Sequence, residues 1–175
     1  MPAQATTASS HRQANITLLR HGLQRYWAAM SQENVEVVRR WLAVGTVGPQ
    51  EVRATVAEFC DADVDYYPVR KFSDARPCHG LTEVSEWLAG WVEAWSLLEW
   101  AVHELIEVGD DRVLACASVR GEGRGSGVKL EGAIYQCVWL RHGRLLRVED
   151  HLTLSGALHA LGLEGATLEA AGLRE

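Results

Sequence analysis

The feature that most constrains this chain is an unbroken run of strand-like segments in its second half. Four segments alternate apolar and polar residues with no helical period between them, at 100–108, 112–120, 128–140 and 144–152. Their connections are short and carry glycine, at 109–111, 121–127 and 141–143. Short connections favour antiparallel neighbours, because a crossover to a parallel strand needs about a dozen residues or more. The second half therefore predicts an antiparallel meander.

The first half carries mainly helical patterns. Apolar residues recur at helical spacing in 32–44, 51–59 and 82–95, whereas 61–68 alternates like a strand. A last short helix is predicted at 155–161. Helices that are grouped apart from strands are typical of an α+β fold in which the helices cover one face of the sheet. We therefore predict the α+β class.

Length and composition fit one globular domain with its own core. The chain has 175 residues, of which 47% are hydrophobic, and a formal net charge of −6. The acidic balance argues against nonspecific binding of nucleic acid, and no apolar run approaches the roughly 18 residues of a membrane span. We predict a domain at 30–163, preceded by a disordered or short helical extension at 1–29 and followed by a tail at 164–175. Met30 is a candidate native start.

The cysteines and histidines suggest neither a metal site nor a disulfide framework. Cys60, Cys78, Cys116 and Cys137 form no CxxC pair, and the seven histidines form no HxH or HxxxH pair. Reduced thiols of this kind point to the cytoplasm. We expect no metal and no cofactor.

Five stretches resemble SnoaL-like proteins of the nuclear transport factor 2-like superfamily. They are SQENVEVVRRWLA (31–43), FCDADVDYYP (59–68), HGLTEVSEWL (79–88), RGEGRGSGV (120–128) and VWLRHGRLLRVEDHLTLSGALHALGL (138–163). The resemblance covers about 130 residues and every predicted element. It implies a cystatin-like cone, in which a curved antiparallel sheet wraps around a long helix and leaves a pocket between them.

The resemblance leaves the activity open, because the family includes polyketide cyclases, ketosteroid isomerases, epoxide hydrolases, dehydratases and binding domains. It implies a small-molecule ligand. One interpretation is an acid–base isomerase, cyclase, dehydratase or hydrolase that acts on a small cyclic apolar molecule. The alternative is a domain without catalysis that binds a small molecule or only dimerises.

The last predicted hairpin supplies a candidate catalytic pair. If 142–143 is a two-residue turn, counting outward places Tyr135 opposite Asp150, with Cys137 and Trp139 on the same face. A carboxyl group on such an apolar wall has a raised pKa, which suits a general base or acid. We therefore nominate Asp150 with Tyr135. The alternative is a solvated acid at a strand end.

His151 is the second choice, because an ordinary histidine titrates near neutral pH. The same register places His151 on the face opposite Asp150, although a β-bulge would re-aim either residue. Alignment with the family's closing segment puts the catalytic aspartate of the cyclases at Thr153. Threonine is no base at neutral pH, so cyclase chemistry would need Asp150 or His151 in its place.

Aromatic residues dominate the predicted pocket lining. Trp87 and Trp91 lie on the apolar stripe of the third helix, where core packing is the simpler interpretation and ligand stacking the functional one. The resemblance adds Trp41 and Tyr66 from the first helix and first strand. His79, before the third helix, could bond a ligand or cap a turn. Cys137 and Trp139 complete the set through the hairpin register.

A homodimer is predicted through the outer face of the sheet. In the predicted register, Val138, Leu140 and Leu145 lie on the second face of the hairpin. An exposed apolar face of this kind needs a cover, which a second copy of the chain would supply.

Overall fold

The computed structural model describes residues 32–43, 48–71 and 75–163. The predicted extension at 1–29, the candidate start at Met30 and the tail at 164–175 lie outside these ranges. The helices are α1 (32–42), α2 (Pro49–Phe59), α3 (Gly80–Glu93) and α4 (Leu154–Ala160). In these ranges, no helix has the length and apolar character needed to cross a membrane.

Six strands form one sheet in the order β2-β1-β6-β5-β4-β3. They are β1 (Cys60–Tyr67), β2 (Cys78–His79), β3 (Trp95–Val108), β4 (Arg112–Gly123), β5 (Lys129–Arg141) and β6 (Arg144–His151). The predicted meander β3 to β6 and the α+β class are confirmed. The sheet is mixed, because β1 pairs with β6 in parallel. The two strands are far apart in the chain, so no hairpin fixes their relative direction.

The third helix ends earlier than its apolar stripe. The stripe extends to Trp95, but α3 ends at Glu93 and Trp95 is the first residue of β3. The Trp95 ring packs edge-on against Trp91, with their centroids 5.0 Å apart. A strand residue thus continues the row of rings that the helix begins, which explains why the sequence period runs past the helix.

The main core lies between the sheet and the first three helices. Val38 of α1, Val56 of α2 and Val84 of α3 are 0% exposed and belong to the same cluster as Val64 of β1 and Val148 of β6. On the other face of the sheet, α4 covers a smaller cluster with Ala157 and Leu161. The helices therefore bury one face broadly and the other face in part.

The β5–β6 hairpin turns as expected but contains an extra residue. His142 and Gly143 have φ values of 53° and 73°, as a two-residue turn with a right-handed twist requires. The first two pairs after the turn are regular, with Leu140 opposite Leu145. The next residue, Trp139, pairs with Arg147, so Leu146 has no residue opposite it. Leu146 is thus a β-bulge, which reverses the faces of all later residues of β6.

The predicted register beyond this bulge is therefore wrong. Asp150 pairs with Gln136, and Tyr135 pairs with His151. Asp150 consequently lies on the face that the helices cover, and Tyr135 lies on the opposite face. The predicted contact between Asp150 and Tyr135 is not formed.

The apolar residues that motivated the dimer are covered within the chain. Val138, Leu140 and Leu145 are 0%, 7% and 0% exposed and belong to the cluster that packs against the helices. They need no second copy as a cover, so this reason for a dimer is wrong. The dimer itself stays a prediction.

Core packing predicts a specific loss of stability. Leu145→Ala removes a fully buried side chain beside the bulge and should lower the free energy of unfolding by about 2–5 kcal/mol. Leu97→Ala is the matched control, because Leu97 is 40% exposed and its truncation should cost less than about 1 kcal/mol. Urea unfolding followed by tryptophan fluorescence measures both, and equal losses would contradict this packing.

A candidate active site in a tryptophan-walled cavity

A cavity of about 320 Å³ lies between α1, α3 and the sheet. We call it the tryptophan cavity, after the aromatic residues in its wall, which are Trp41, Tyr66, Trp87, Trp91 and Trp100. The ionisable residues in its wall are Lys71, Glu131 and Asp150. Its volume is at the lower end of the roughly 300–1,000 Å³ that is usual for small-molecule pockets.

The aromatic wall is built by two periodicities that meet. Alternation along β1 directs Tyr66 inward, and the i,i+4 spacing on α3 places Trp87 and Trp91 one turn apart. The ring centroids of Tyr66 and Trp87 are 5.3 Å apart, and Trp87 and Trp91 stack at 5.8 Å with 6° between their planes. Such contacts hold the rings in fixed orientations.

Asp150 projects into this wall and accepts two hydrogen bonds. The Tyr66 hydroxyl donates to Asp150 Oδ2 at 2.5 Å, and Gln136 Nε2 donates to Asp150 Oδ1 at 2.7 Å. A carboxylate can accept about four hydrogen bonds, so each oxygen keeps a free lone pair.

Trp41 determines which way the Gln136 amide points. Trp41 Nε1 lies 2.8 Å from Gln136 Oε1, and an indole N–H can only donate. The amide oxygen therefore faces Trp41, and the amide NH₂ must face Asp150. An amide NH₂ group can donate a hydrogen bond to a carboxylate but cannot accept one from a protonated carboxyl group. The hydrogen bonds from Trp41 to Gln136 and from Gln136 to Asp150 therefore favour the ionised form of Asp150.

Burial and hydrogen bonding act on Asp150 in opposite directions. Desolvation raises the pKa of Asp150 above its ordinary value of 3.8. The hydrogen bonds from Tyr66 and Gln136 and the nearby His151 lower the pKa, but desolvation is the larger effect. Desolvation, reinforced by the charge of Asp150, also raises the pKa of Tyr66 well above 10. The hydroxyl of Tyr66 therefore stays protonated and can donate to Asp150, whose own pKa is shifted upward.

Four of the predicted lining residues lie in the cavity wall and three lie elsewhere. The structure brings Trp41, Tyr66, Trp87 and Trp91 together there. His79 lies outside that wall at the sheet edge, where its Nδ1 is 2.6 Å from Asp65 Oδ1.

Cys137 and Trp139 are on the opposite face of the sheet. The Cys137 thiol packs 3.4 Å from the carbonyl oxygen of Ala157 in α4, and burial raises its pKa to about 12. The Arg147 guanidinium lies over the Trp139 ring, 5.2 Å from its centroid. Both residues were assigned to the cavity by the register that the bulge overturns.

The remaining candidate residues also lie outside the tryptophan cavity. Tyr135 packs in the cluster under α4, and His151 Nε2 is 3.3 Å from Glu149 Oε2 on the same outer face. Thr153 begins α4 as its N-cap, and its hydroxyl accepts a hydrogen bond from the Gly156 amide at 3.2 Å. The position that resembles the cyclases' aspartate therefore has a structural role here.

Gln136 is a residue of the candidate site that sequence analysis did not predict. It interrupts an alternating apolar series in β5 formed by Ile134, Val138 and Leu140, yet it is only 4% exposed. A lone amide in such a series signals a buried polar contact. In the described ranges, His, Cys, Asp and Glu form no group of three or more that could hold a metal ion.

The raised pKa of Asp150 predicts how its replacement affects stability. The pKa of Asp150 is higher in the folded than in the unfolded protein, so folding favours its protonated form. Its contribution to stability is therefore complete at pH values below the pKa in the unfolded protein, and it is lost as the pH rises through the pKa in the folded protein. Asp150→Asn cannot ionise and keeps an acceptor for Gln136. We expect Asp150→Asn to unfold at higher urea than the wild type at pH 7, with the gain shrinking towards pH 4.

The control for this measurement is Asp61→Asn. The hydrogen bond from Arg141 lowers the pKa of Asp61, so its stabilising effect is present at neutral pH and is lost on acidification. Asp61→Asn should therefore show no gain at pH 7. An Asp150→Asn protein that is less stable than the wild type at pH 7 would contradict the desolvation of Asp150.

Comparisons with known proteins place the fold. No protein-family model matches the chain, and no curated protein matches it. Among solved structures, a hypothetical protein with a ketosteroid isomerase-like fold from Catenulispora acidiphila, in complex with trimethylamine, is 21% identical with a TM-score of 0.58. That match covers 73% of this chain and 93% of that one.

Two further structures are similar. A putative SnoaL-like polyketide cyclase from Jannaschia is 21% identical with a TM-score of 0.60, over 75% of this chain and 93% of that one. A phenazine biosynthesis-related protein from Pseudomonas aeruginosa is 15% identical with a TM-score of 0.62, over 86% and 99%. The chain therefore has the fold of the SnoaL-like proteins of the nuclear transport factor 2-like superfamily, as its sequence predicted.

Proposed function

We propose that this protein is a cofactor-independent enzyme in which Asp150 is the general base. Its substrate is a small, cyclic and largely apolar molecule that lies against the tryptophans. The observation that carries this proposal is the hydrogen-bond chain from Trp41 through Gln136 to Asp150, which presents a partly desolvated carboxylate to an apolar cavity. Bases of this kind are strengthened by the loss of water around them.

The proposed step is a proton transfer from carbon or oxygen of the substrate to Asp150. The C–H or O–H bond breaks, its electron pair stays on the substrate, and the proton forms a new bond to a carboxylate oxygen. Isomerisation returns that proton to a second atom of the substrate, whereas in dehydration the C–O bond breaks and the proton from Asp150 passes to the departing hydroxyl, which leaves as water. Tyr66 stays hydrogen-bonded to Asp150 Oδ2 and orients the carboxylate throughout.

Tyr66 and Gln136 replace Tyr135 as the partners of Asp150 in this proposal. Their hydrogen bonds hold the base from two sides and from two different strands, which limits its rotation. Positioning of this kind is a main source of catalytic rate. His151 supports no step here, because it lies outside the tryptophan cavity on the outer face.

The second candidate is a binding protein without catalysis. The apolar cavity wall and its stacked rings support it equally, since they would hold a flat molecule whether or not Asp150 reacts. Trimethylamine bound to the similar Catenulispora protein agrees with a small organic ligand. A homodimer and a cytoplasmic location remain parts of the proposal, the latter supported by four free cysteines.

Proton exchange of 2-tetralone in D₂O tests for the base without a known substrate. Its ring system is flat and apolar, and its acidic CH₂ exchanges hydrogen for deuterium when a base removes a proton. We expect the wild type to accelerate exchange and Asp150→Asn to reduce the enzymatic rate about 10²- to 10⁴-fold, as NMR measures. Glu107→Gln, which removes an exposed carboxylate outside the cavity, should exchange like the wild type.

Two results would contradict the enzymatic role. Equal rates for Asp150→Asn and the wild type would place the base elsewhere. Binding of 2-tetralone by the wild type without acceleration would favour the binding protein.

The pH profile gives an independent check. Only the ionised carboxylate accepts a proton, so the enzymatic exchange rate should rise with pH and reach a plateau. Desolvation raises the pKa of Asp150. Half of the plateau rate should therefore be reached at a pH above 3.8, the ordinary pKa of an aspartic acid. A rate that is independent of pH between 3 and 8 would argue against a titrating carboxyl base.

A further inference from the structure

A second cavity adjoins the first at Asp150. It has a volume of about 540 Å³, and Lys71, Asp150 and Leu152 line both cavities. Its other walls include Arg70 and Arg147. We call it the basic groove, because it contains three cationic side chains whereas the tryptophan cavity contains one.

One of these cations is already neutralised. Arg147 Nε donates to Glu149 Oε1 at 2.6 Å, and its guanidinium lies over the Tyr67 ring, 4.9 Å from the centroid. Arg70 and Lys71 are exposed and form no ion pair or hydrogen bond within the described residues. Asp150 is the other carboxylate in this lining, so its described side chains keep an excess of positive charge, carried by Arg70 and Lys71, on a chain whose net charge is −6.

We infer that the substrate is an amphipathic anion, with an apolar ring system in the tryptophan cavity and a carboxylate beside Arg70 and Lys71. This inference rests on the proposed function. If Asp150 is the base, the part of the substrate next to it must be an uncharged group that gives up a proton. An ammonium ion at Asp150 would neutralise the base instead. The acidic group of the ligand is therefore expected at the other end, near the cations.

Chain connectivity supports this arrangement. Tyr66 bonds Asp150, and the same chain continues from β1 through Pro68 to Arg70 and Lys71. One segment thus supplies both a partner of the base and the cations. A ligand anchored by its carboxylate would be held with its ring directed towards the base, which turns binding energy into orientation.

Three naphthalene derivatives test the charge preference directly. The probes are 1-naphthylacetate, its near-isosteric neutral amide 1-naphthylacetamide, and the cation 2-(1-naphthyl)ethylammonium. We expect calorimetry at low salt to show the acetate binding about tenfold more tightly than the amide, since two exposed cations each contribute modestly. The preference should shrink in 0.5 M salt.

Two double variants separate local charge from net charge. Arg70→Met with Lys71→Met should abolish the preference for the acetate and leave the amide affinity unchanged. Arg53→Met with Lys129→Met changes net charge equally at exposed positions outside both cavities and should keep the preference. Gly132→Leu should weaken both probes alike, because Gly132 lines the tryptophan cavity and has no atom within 4 Å of an added Cβ.

Three outcomes would overturn the inference: equal affinity for acetate and amide, a preference that survives removal of Arg70 and Lys71, or tightest binding of the cation. These outcomes are distinct from failure of the proposed function. The exchange assay uses a neutral ketone and reports on Asp150 alone, whereas the calorimetry involves no proton transfer. An anion preference without exchange would identify a binding protein for acidic ligands.

Discussion

The bulge at Leu146 determines which side chains of β6 face the tryptophan cavity. Without it, strict alternation would send Arg147, Glu149 and His151 inward from Leu145; with it, Val148 and Asp150 take the inner face. Two of the three residues that are kept outside are charged, and burying them unpaired would cost several kcal/mol each. The bulge is therefore the arrangement that lets β6 bury its apolar residues, and Asp150 enters the cavity as a consequence.

The features that could be predicted from the sequence are those in which burial leaves a periodic pattern of apolar residues. The helices, the meander and two residues of the aromatic wall, Trp87 and Trp91, follow from apolar periodicity, which reflects the face that each element buries. Trp41 and Tyr66 were predicted from the family resemblance instead. The register beyond Leu146 could not be predicted by counting, because alternation is a property of regular pairing and a bulge breaks it. The sequence gives no warning of the bulge, because Leu146 and Val148 alternate as they would in a regular strand. Only the structure shows that Leu145 and Val148, three residues apart, are both fully buried in the main core.

The tryptophans act both in the core and at the site. Trp41 is 4% exposed and packs in the main core, yet its single N–H fixes the Gln136 amide. Gln136 in turn orients Asp150 without supplying a charge that would neutralise it. A positively charged partner would have lowered the pKa of Asp150 and weakened it as a base. The hydrogen bonds from Trp41 to Gln136 and from Gln136 to Asp150 therefore order the carboxylate without adding a positive charge beside it.

Thr153 and Asp150 lie close together in the chain but have different surroundings. Thr153, which resembles the cyclases' aspartate position, is the N-cap of α4 just after β6, and its hydroxyl accepts a hydrogen bond from the Gly156 amide. Asp150 lies three residues earlier, on a strand, and obtains its partners from β1 and β5. The inward register and these two neutral donors together hold the Asp150 carboxylate in the cavity wall. The register of β6, and not the fold alone, determines which of its side chains face the cavity.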